Sequence, residues 1–393
     1  MNRDKIELNF VLPSVTLVEE HDLVRKVERA YRVCYKSEDK MTDTSKDLVK
    51  RLAMHRHVKR HTSPLEHSCV TIKSTTSEYT NIQLDRFFNR YASPFLYTNY
   101  GVTDGVTGNF RAFHDFLIQS TYASDNPETW IITNSDTSKI DPRECRFYGD
   151  ELDQFFIELR RMAVIYGVGN LLHKNFPEVF PAIELENKEK FETNADYKNM
   201  FDEMCALDVS ECKDYYSFMI VTSRDILQEL ARHRALSPSV ESTRYCNYGN
   251  KGYTFVIPKP YEWAEQFSWS EQDIATITYK TLHDSLKTIP RKDGTGAEYV
   301  AISPMGMIQD YENNMLELFL SNCYTCAARY DKALQLGTRP QEARMLMPGG
   351  LKTELMMSGY KSYWVNHFLP LRDDKDAHPM MQYIAHEISK LIL

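Results

Sequence analysis

Two stretches of this chain repeat one order of elements. Residues 66–101, "EHSCVTIKSTTSEYTNIQLDRFFNRYASPFLYTNYG", read as a strand, a helix and an irregular Tyr-rich loop, and residues 214–249, "DYYSFMIVTSRDILQELARHRALSPSVESTRYCNYG", read the same way. Arg90, Ser93 and Pro94 have the mutual spacing of Arg234, Ser237 and Pro238, and both loops close on Asn-Tyr-Gly. A second echo links "GNFRAFHDFL" (108–117) with "GYKSYWVNHFLPLR" (359–372). Each is followed by an amphipathic helix, "FFIELRRMAVIYGVGNLL" and "MMQYIAHEISKLIL". The expectation is an α/β chain of two diverged repeats, divided near residue 190 into 1–190 and 191–393.

The second repeat carries a helical insertion. Within residues 250–358, "IATITYKTLHDSLKTI" (274–289) and "MIQDYENNMLELFLSNCYTCAARYDKAL" (307–334) have apolar residues recurring at three and four. The polar segments 123–144 and 185–204 read as a surface insertion and an inter-repeat connector.

At 393 residues and 42% apolar composition the chain can bury a substantial core. Its formal charge of −8 argues against a broad nucleic-acid footprint, which needs a basic surface. No stretch has the length and apolarity of a signal peptide or a bilayer span, so a cytoplasmic protein is expected. Of eight cysteines only Cys323 and Cys326 have C-x-x-C spacing, and without a second pair they read as reduced structural thiols on a helix.

Against this acidic background, residues 229–249 concentrate guanidinium groups. Thr222 or Ser223 is placed to cap a helix whose apolar stripe is Ile226, Leu227, Leu230 and Ala231, with Arg232, His233 and Arg234 in its last turn. Cations there complement the helix dipole on the simplest reading. Successive helical residues turn by about 100°, however, so Arg232 and Arg234 would face nearly opposite sides and hold two anionic groups. Pro238 turns the chain out of the helix near Ser237 and into a loop through Ser239, Ser242 and Thr243 to Arg244. Hydroxyls and amides beside a forked cation suit a phosphate. Neither a P-loop nor a complete G-x-G-x-x-G turn is present.

Arg232-His233-Arg234, seven residues, then Ser242 and Arg244-Tyr245 resembles the signature of the flavin-dependent thymidylate synthases (ThyX). "HTSPLEH" (61–67), "GTRPQEARMLMP" (337–348) and "HFLPLRDDKDAHPMMQYIAHEI" resemble three further segments of that family, in the same order. The resemblance implies an enzyme that methylates dUMP to dTMP with methylenetetrahydrofolate as carbon donor and NADPH as reductant through FAD. It also implies ThyX-like α/β repeats, each a small sheet flanked by long helices. The triplet Arg232, His233 and Arg234 inherits flavin contacts, and Arg232 a nucleotide contact as well. Glu229, Glu241, Ser242, Thr243, Arg244, Arg344 and Arg372 inherit places around dUMP, with Arg372 the catalytic cation for the ionised uracil ring. His61 and Ser63 match the flavin-side motif, and Asn109 and Arg111 an Asn-x-Arg flavin pair. The crowding of His55, His57, His61 and His67 also raises a metal; no paired Cys or carboxylates accompany them, and none is expected.

The sequence departs from the family pattern in two residues, Val240 where an acid is usual, with Glu241 one step later, and Glu229 where Gln is usual. The motifs also divide. The first half has HTSPLEH and Asn109-x-Arg111 but Phe88-Asn89-Arg90 at the triplet position; the second keeps the triplet, Arg344 and Arg372 but has Lys361-Ser362-Tyr363 for Asn-x-Arg. This predicts a fused pair of subunits, a homodimer imitating the family's tetramer, with one FAD per chain and no nucleic-acid or membrane partner. The alternative is a non-catalytic nucleotide-binding or scaffold protein that kept the fold.

Overall fold

The computed structural model describes residues 7–42, 46–53, 61–78, 80–81, 84, 88, 105–123, 129–132, 151–185, 195–244, 246–258, 276–278 and 315–393. In chain order they form β1 (Glu7–Val11), β2 (Ser14–Leu17), α1 (Leu23–Tyr35), α2 (Asp47–Ala53), β3 (Cys69–Ser74), β4 (Val106–Asn109) and α3 (Phe110–Ser120). Next come β5 (Tyr122–Ala123), β6 (Thr129–Ile132), α4 (Glu151–Asn175), β7 (Ala182–Leu185), α5 (Ala195–Cys205) and β8 (Leu207–Glu211). The rest is β9 (Tyr215–Ser223), α6 (Arg224–Leu230), β10 (Ser237–Val240), β11 (Tyr253–Val256), β12 (Thr276–Thr278), α7 (Met315–Gln335), β13 (Lys352–Tyr360) and α8 (Pro379–Ile392), with single turns between. Small sheets and helices thus alternate in a mixed α/β chain.

The chain forms two compact units. One, here the C-terminal unit, comprises Met1–Val18, Arg32–Glu38 and Tyr216–Leu393; the N-terminal unit comprises Glu19–Tyr31 and Asp39–Tyr215. The expected division near residue 190 falls within 186–194, outside the described residues.

In the N-terminal unit β3 lies between β4 and β8, antiparallel to both, with Val70 opposite Gly108 and Glu211. Asn109 ends β4 and starts α3, because its Oδ1 accepts the Ala112 N–H at 2.9 Å and caps the first turn. Phe110 and Phe113 then enter a core with Val70, Ile72, Ile165 and Phe180. Each such buried side chain contributes about 2 kcal/mol of apolar transfer. Where α4 crosses α5, a Cβ at Gly167 would stand 2.3 Å from the Met204 carbonyl oxygen, so only glycine permits that approach.

Among the described residues the C-terminal unit has two sheets. One runs β10-β13-β9-β2, with β10 antiparallel to β13 (Ser237 opposite Ser358) and β2 antiparallel to β9 (Ser14 opposite Val221). In the other, β1 is parallel to β11 and antiparallel to β12. Helix α8 starts where His378 accepts the Met380 N–H beside Pro379 at the first turn, and its stripe Met381, Ile384, Ala385, Ile388 and Ile392 is buried. That stripe packs in a core with Phe218, Leu355 and Trp364. A separate core joins Phe10, Phe255, Leu320, Tyr324 and Tyr330.

Several expectations change. Within the segment 274–289, read as helical, Thr276–Thr278 is a strand on β1, and the remainder lies outside the described residues. Its run of β-branched Thr-Ile-Thr favours the extended state over the apolar spacing. Helix α7 holds Cys323 and Cys326 as free thiols, as expected, while residues 307–314 of that pattern lie outside the description. The polar segments also contain regular structure: β6 in the first and α5 in the second.

Candidate functional site

Helix α6 begins at Arg224 with Ser223 in the N-cap position, and its buried face is Ile226 and Leu230. It ends at Leu230, earlier than the apolar spacing predicts. The triplet therefore lies beyond the helix, in turns closed by Arg232 N–H to Glu229 O at 3.2 Å and His233 N–H to Leu230 O at 3.1 Å. The opposed directions expected of Arg232 and Arg234 cannot be drawn from helical geometry. The turn instead leaves both arginines exposed and buries His233 between them at 5% exposure. Neither Arg232 nor Arg234 is paired with a carboxylate among the described residues.

After the turn the chain forms β10, not the expected loop. Pro238 is tolerated because β10 is the edge of its sheet. Two clusters of expected site residues sit at opposite ends of this strand, roughly 10 Å apart at the usual strand rise.

At the Ser237 end, His233 meets Arg372. The Arg372 Nε–H donates to His233 Nε2 at 2.9 Å and its Nη1 donates to Glu229 Oε2 at 2.8 Å. Burial, and then the guanidinium charge, push His233 down to about 4, so the ring is neutral at physiological pH with its proton on Nδ1. The Phe368 ring backs it at 4.7 Å. Arg372 ends a short turn, Leu369–Arg372, that follows a π-turn over Trp364–Phe368. Pro370 has no N–H to return to residue 366, which fits a widened turn at that point.

At the Val240 end, Glu241 turns inward and is 1% exposed. Its Oε1 accepts the Tyr248 hydroxyl at 3.2 Å and lies 3.7 Å from Lys36 Nζ, while its carbonyl takes Arg224 Nη2 at 2.8 Å. Lys36 holds the left-handed position after α1 (φ 48°), bonding back to Val33 as Ser37 does to Arg32. Ser242 N–H donates to Cys34 O at 3.0 Å. These anchors leave Ser242 and Thr243 half-buried and Arg244 exposed, with Arg344 Nη1 donating to Thr243 Oγ1 at 3.1 Å. Arg224, Tyr248 and Lys36 carry no spacing signal that sequence reasoning could have used; only folding gathers them.

The flavin-side residues lie in the N-terminal unit. Ser63 opens a 3-10 turn, Ser63–His67, that leads through Ser68 into β3, and His61 O accepts the Tyr31 hydroxyl at 2.5 Å. His67 is fully buried and held down to about 3 by burial and then by Lys26. Arg111 pairs with Glu66 and, at 3.3 Å, with Asp115, and Asn109 is the α3 cap already described. Among the described residues no cluster could hold a metal ion, and His55 and His57 lie outside them. No described helix is long and apolar enough to cross a membrane.

Residues 213–393 match the family model described as thymidylate synthase complementing protein. Solved structures similar to this chain include a UMP/dUMP methylase, PolB from Streptomyces cacaoi, bound with 5-Br dUMP. It is 16% identical over 45% of this chain and 64% of its own length, with a TM-score of 0.30. Thymidylate Synthase X (ThyX) from Helicobacter pylori with FAD and dUMP is 19% identical over 52% and 76%, TM-score 0.27, and a second structure of that enzyme is 22% identical, TM-score 0.26. The chain thus spans less than two thirds of the PolB structure. No curated protein sequence matches the chain.

Proposed function

With residues 213–393 matched to the thymidylate synthase complementing protein (ThyX) family, we propose that the chain is a flavin-dependent thymidylate synthase. It converts dUMP to dTMP with methylenetetrahydrofolate as carbon donor and NADPH as reductant through FAD. The observation that carries this reading is the Glu229–Arg372–His233 constellation beside two exposed, carboxylate-free arginines. Its donor chemistry fits an anionic nucleotide and a phosphate-bearing cofactor, since Arg232 and Arg234 offer forked cations with no acidic partner among the described residues.

FAD, when bound, relays the reducing equivalents. Arg372 meets developing negative charge on the pyrimidine with a cation whose direction is already set by its two partners. Neutral His233 lends an acceptor without competing positive charge. Ser242, Thr243, Arg244 and Arg344 present hydroxyl, amide and guanidinium donors to the nucleotide phosphate, and Glu241 fixes their segment from within. His61, Ser63, Asn109 and Arg111 are assigned to the flavin.

The two-repeat reading is supported by element order. In the N-terminal unit β3 neighbours β4, whose end opens α3, while in the C-terminal unit β9 neighbours β13, whose end opens the turns to Arg372. On this reading the protein is a homodimer with one FAD per chain, checked by light scattering with flavin absorbance. One observation favours a second reading, a non-catalytic nucleotide binder: Glu229 offsets part of the Arg372 charge.

Tritium release from ring-labelled dUMP with folate and NADPH present tests the function. Release, and a yellow protein that NADPH bleaches, are expected. A colourless protein that binds dUMP without releasing tritium would leave the binding reading in place of the enzyme.

A further inference from the structure

The N-terminal unit gathers a group of side chains that no part of the proposed reaction uses. The register that sets Val70 opposite Glu211 carries on by one step, so that Cys69 faces Cys212, and the Cys212 N–H donates to Cys69 O at 3.0 Å. Directly opposed residues of an antiparallel pair have side chains on one face, with Cα atoms about 5.5 Å apart where they are hydrogen-bonded. That lies inside the span of about 4.4 to 6.8 Å that a disulfide bridges. Both residues are buried, at 2% and 7% exposure.

We propose that Cys69 and Cys212 form a redox-responsive cross-strand dithiol, a modification site that closes to a disulfide by exchange with a low-molecular-weight disulfide. Cys212 is the attacking group for two reasons, and a third feature favours thiolate at either sulfur. It heads the reverse turn Cys212–Tyr215, closed by Tyr215 N–H to Cys212 O at 3.3 Å, whose middle residues Lys213 and Asp214 are exposed and open an approach. The Cys69 thiol, and next the Asp214 backbone, hydrogen-bond its sulfur and lower its pKa against the opposing effect of burial. Finally, Lys26, 4% exposed, interacts electrostatically with both thiols and with Glu211, and a neighbouring ammonium favours thiolate.

The Cys212 thiolate attacks one sulfur of the external disulfide, and the other sulfur leaves as a thiolate. Cys69, losing its proton, then attacks the Cys212 sulfur of the mixed disulfide and releases the second small thiol. Two electrons pass from the pair to the external disulfide, and two protons end on the released thiols. The bridge would tie the start of β3, two residues after His67 and opposite Asn109, to the end of β8.

No flavin or nucleotide is needed, so the idea stands or falls apart from the proposed activity. The full-length chain is equilibrated across a series of oxidised-to-reduced glutathione ratios, acid-quenched, alkylated and mapped by mass spectrometry. A peptide pair joined through Cys69 and Cys212, with loss of two of the eight thiols, is the expected result. Cys69→Ser should trap glutathione on Cys212, and Cys212→Ser should leave Cys69 unmodified. The link is read in the wild-type chain, so the result does not depend on either variant folding. An unchanged thiol count at every ratio, or glutathione on Cys34 and Cys326 with no Cys69–Cys212 link, overturns the proposal.

Discussion

Arg372 donates from Nε to His233 Nε2 at 2.9 Å, and this contact exists only while the imidazole is neutral. Burial and the adjacent guanidinium keep it so by lowering its pKa to about 4. The rate of dTMP formation should therefore be insensitive to His233 down to about pH 5. It should fall as pH approaches 4, where a protonated ring can no longer accept and repels Arg372. His233→Phe, which keeps the ring but removes the acceptor, should remove that acid limb and lower kcat about tenfold, read from tritium-release assays across pH.

Glu229 holds the other arm of Arg372 from a half-exposed position. Glu229→Gln preserves an acceptor and should retain most activity. Glu229→Ala should lower kcat about tenfold with little change in dUMP affinity by titration calorimetry. Equal losses in both variants would mean that the carboxylate charge, not the alignment of Arg372, matters.

Glu241 and Arg244 are three residues apart yet should fail differently. Glu241→Ala strips a buried acceptor from Tyr248 and a counter-charge from Lys36, and should destabilise the chain by about 3 kcal/mol in urea titrations. Arg244→Ala should leave stability unchanged and weaken dUMP binding roughly 10- to 100-fold, the size of one charged hydrogen bond.

His67 links pH to the stability of the N-terminal unit. Its pKa is lowered from 6.5 to about 3 by burial and Lys26, so the unfolded chain takes up its proton first as pH falls. The stabilisation is complete above pH 6.5 and is lost progressively from there towards pH 3. About 2 kcal/mol should disappear between pH 6.5 and 5. Denaturant midpoints over that range check it, and His67→Gln should flatten the dependence.

Local pattern was enough for much of this molecule. The strand at Cys69–Ser74, the strand-then-helix order of Tyr215–Leu230, the Cys-bearing helix α7 and the buried stripe of α8 all follow from side-chain periodicity and end signals, which act within a few residues. These candidate site residues were legible for the same reason, since Arg232, His233, Arg234 and Ser242 lie close together in sequence. Where the helix stops was not legible. Ala231 continues the apolar spacing, but burying His233 against Phe368 and pairing Ser237 with Ser358 draws the chain into turns and an edge strand.

By itself the sequence determined which residue types are present and which short segments are helical or extended, because both depend on neighbours along the chain. Tertiary structure alone decided that Glu229 and His233 would aim Arg372, that Glu241 would face Tyr248 and Lys36 instead of solvent, and that Cys69 would lie across from Cys212. Those outcomes turn on desolvation and hydrogen-bond partners supplied from distant parts of the chain, and no local periodicity encodes them.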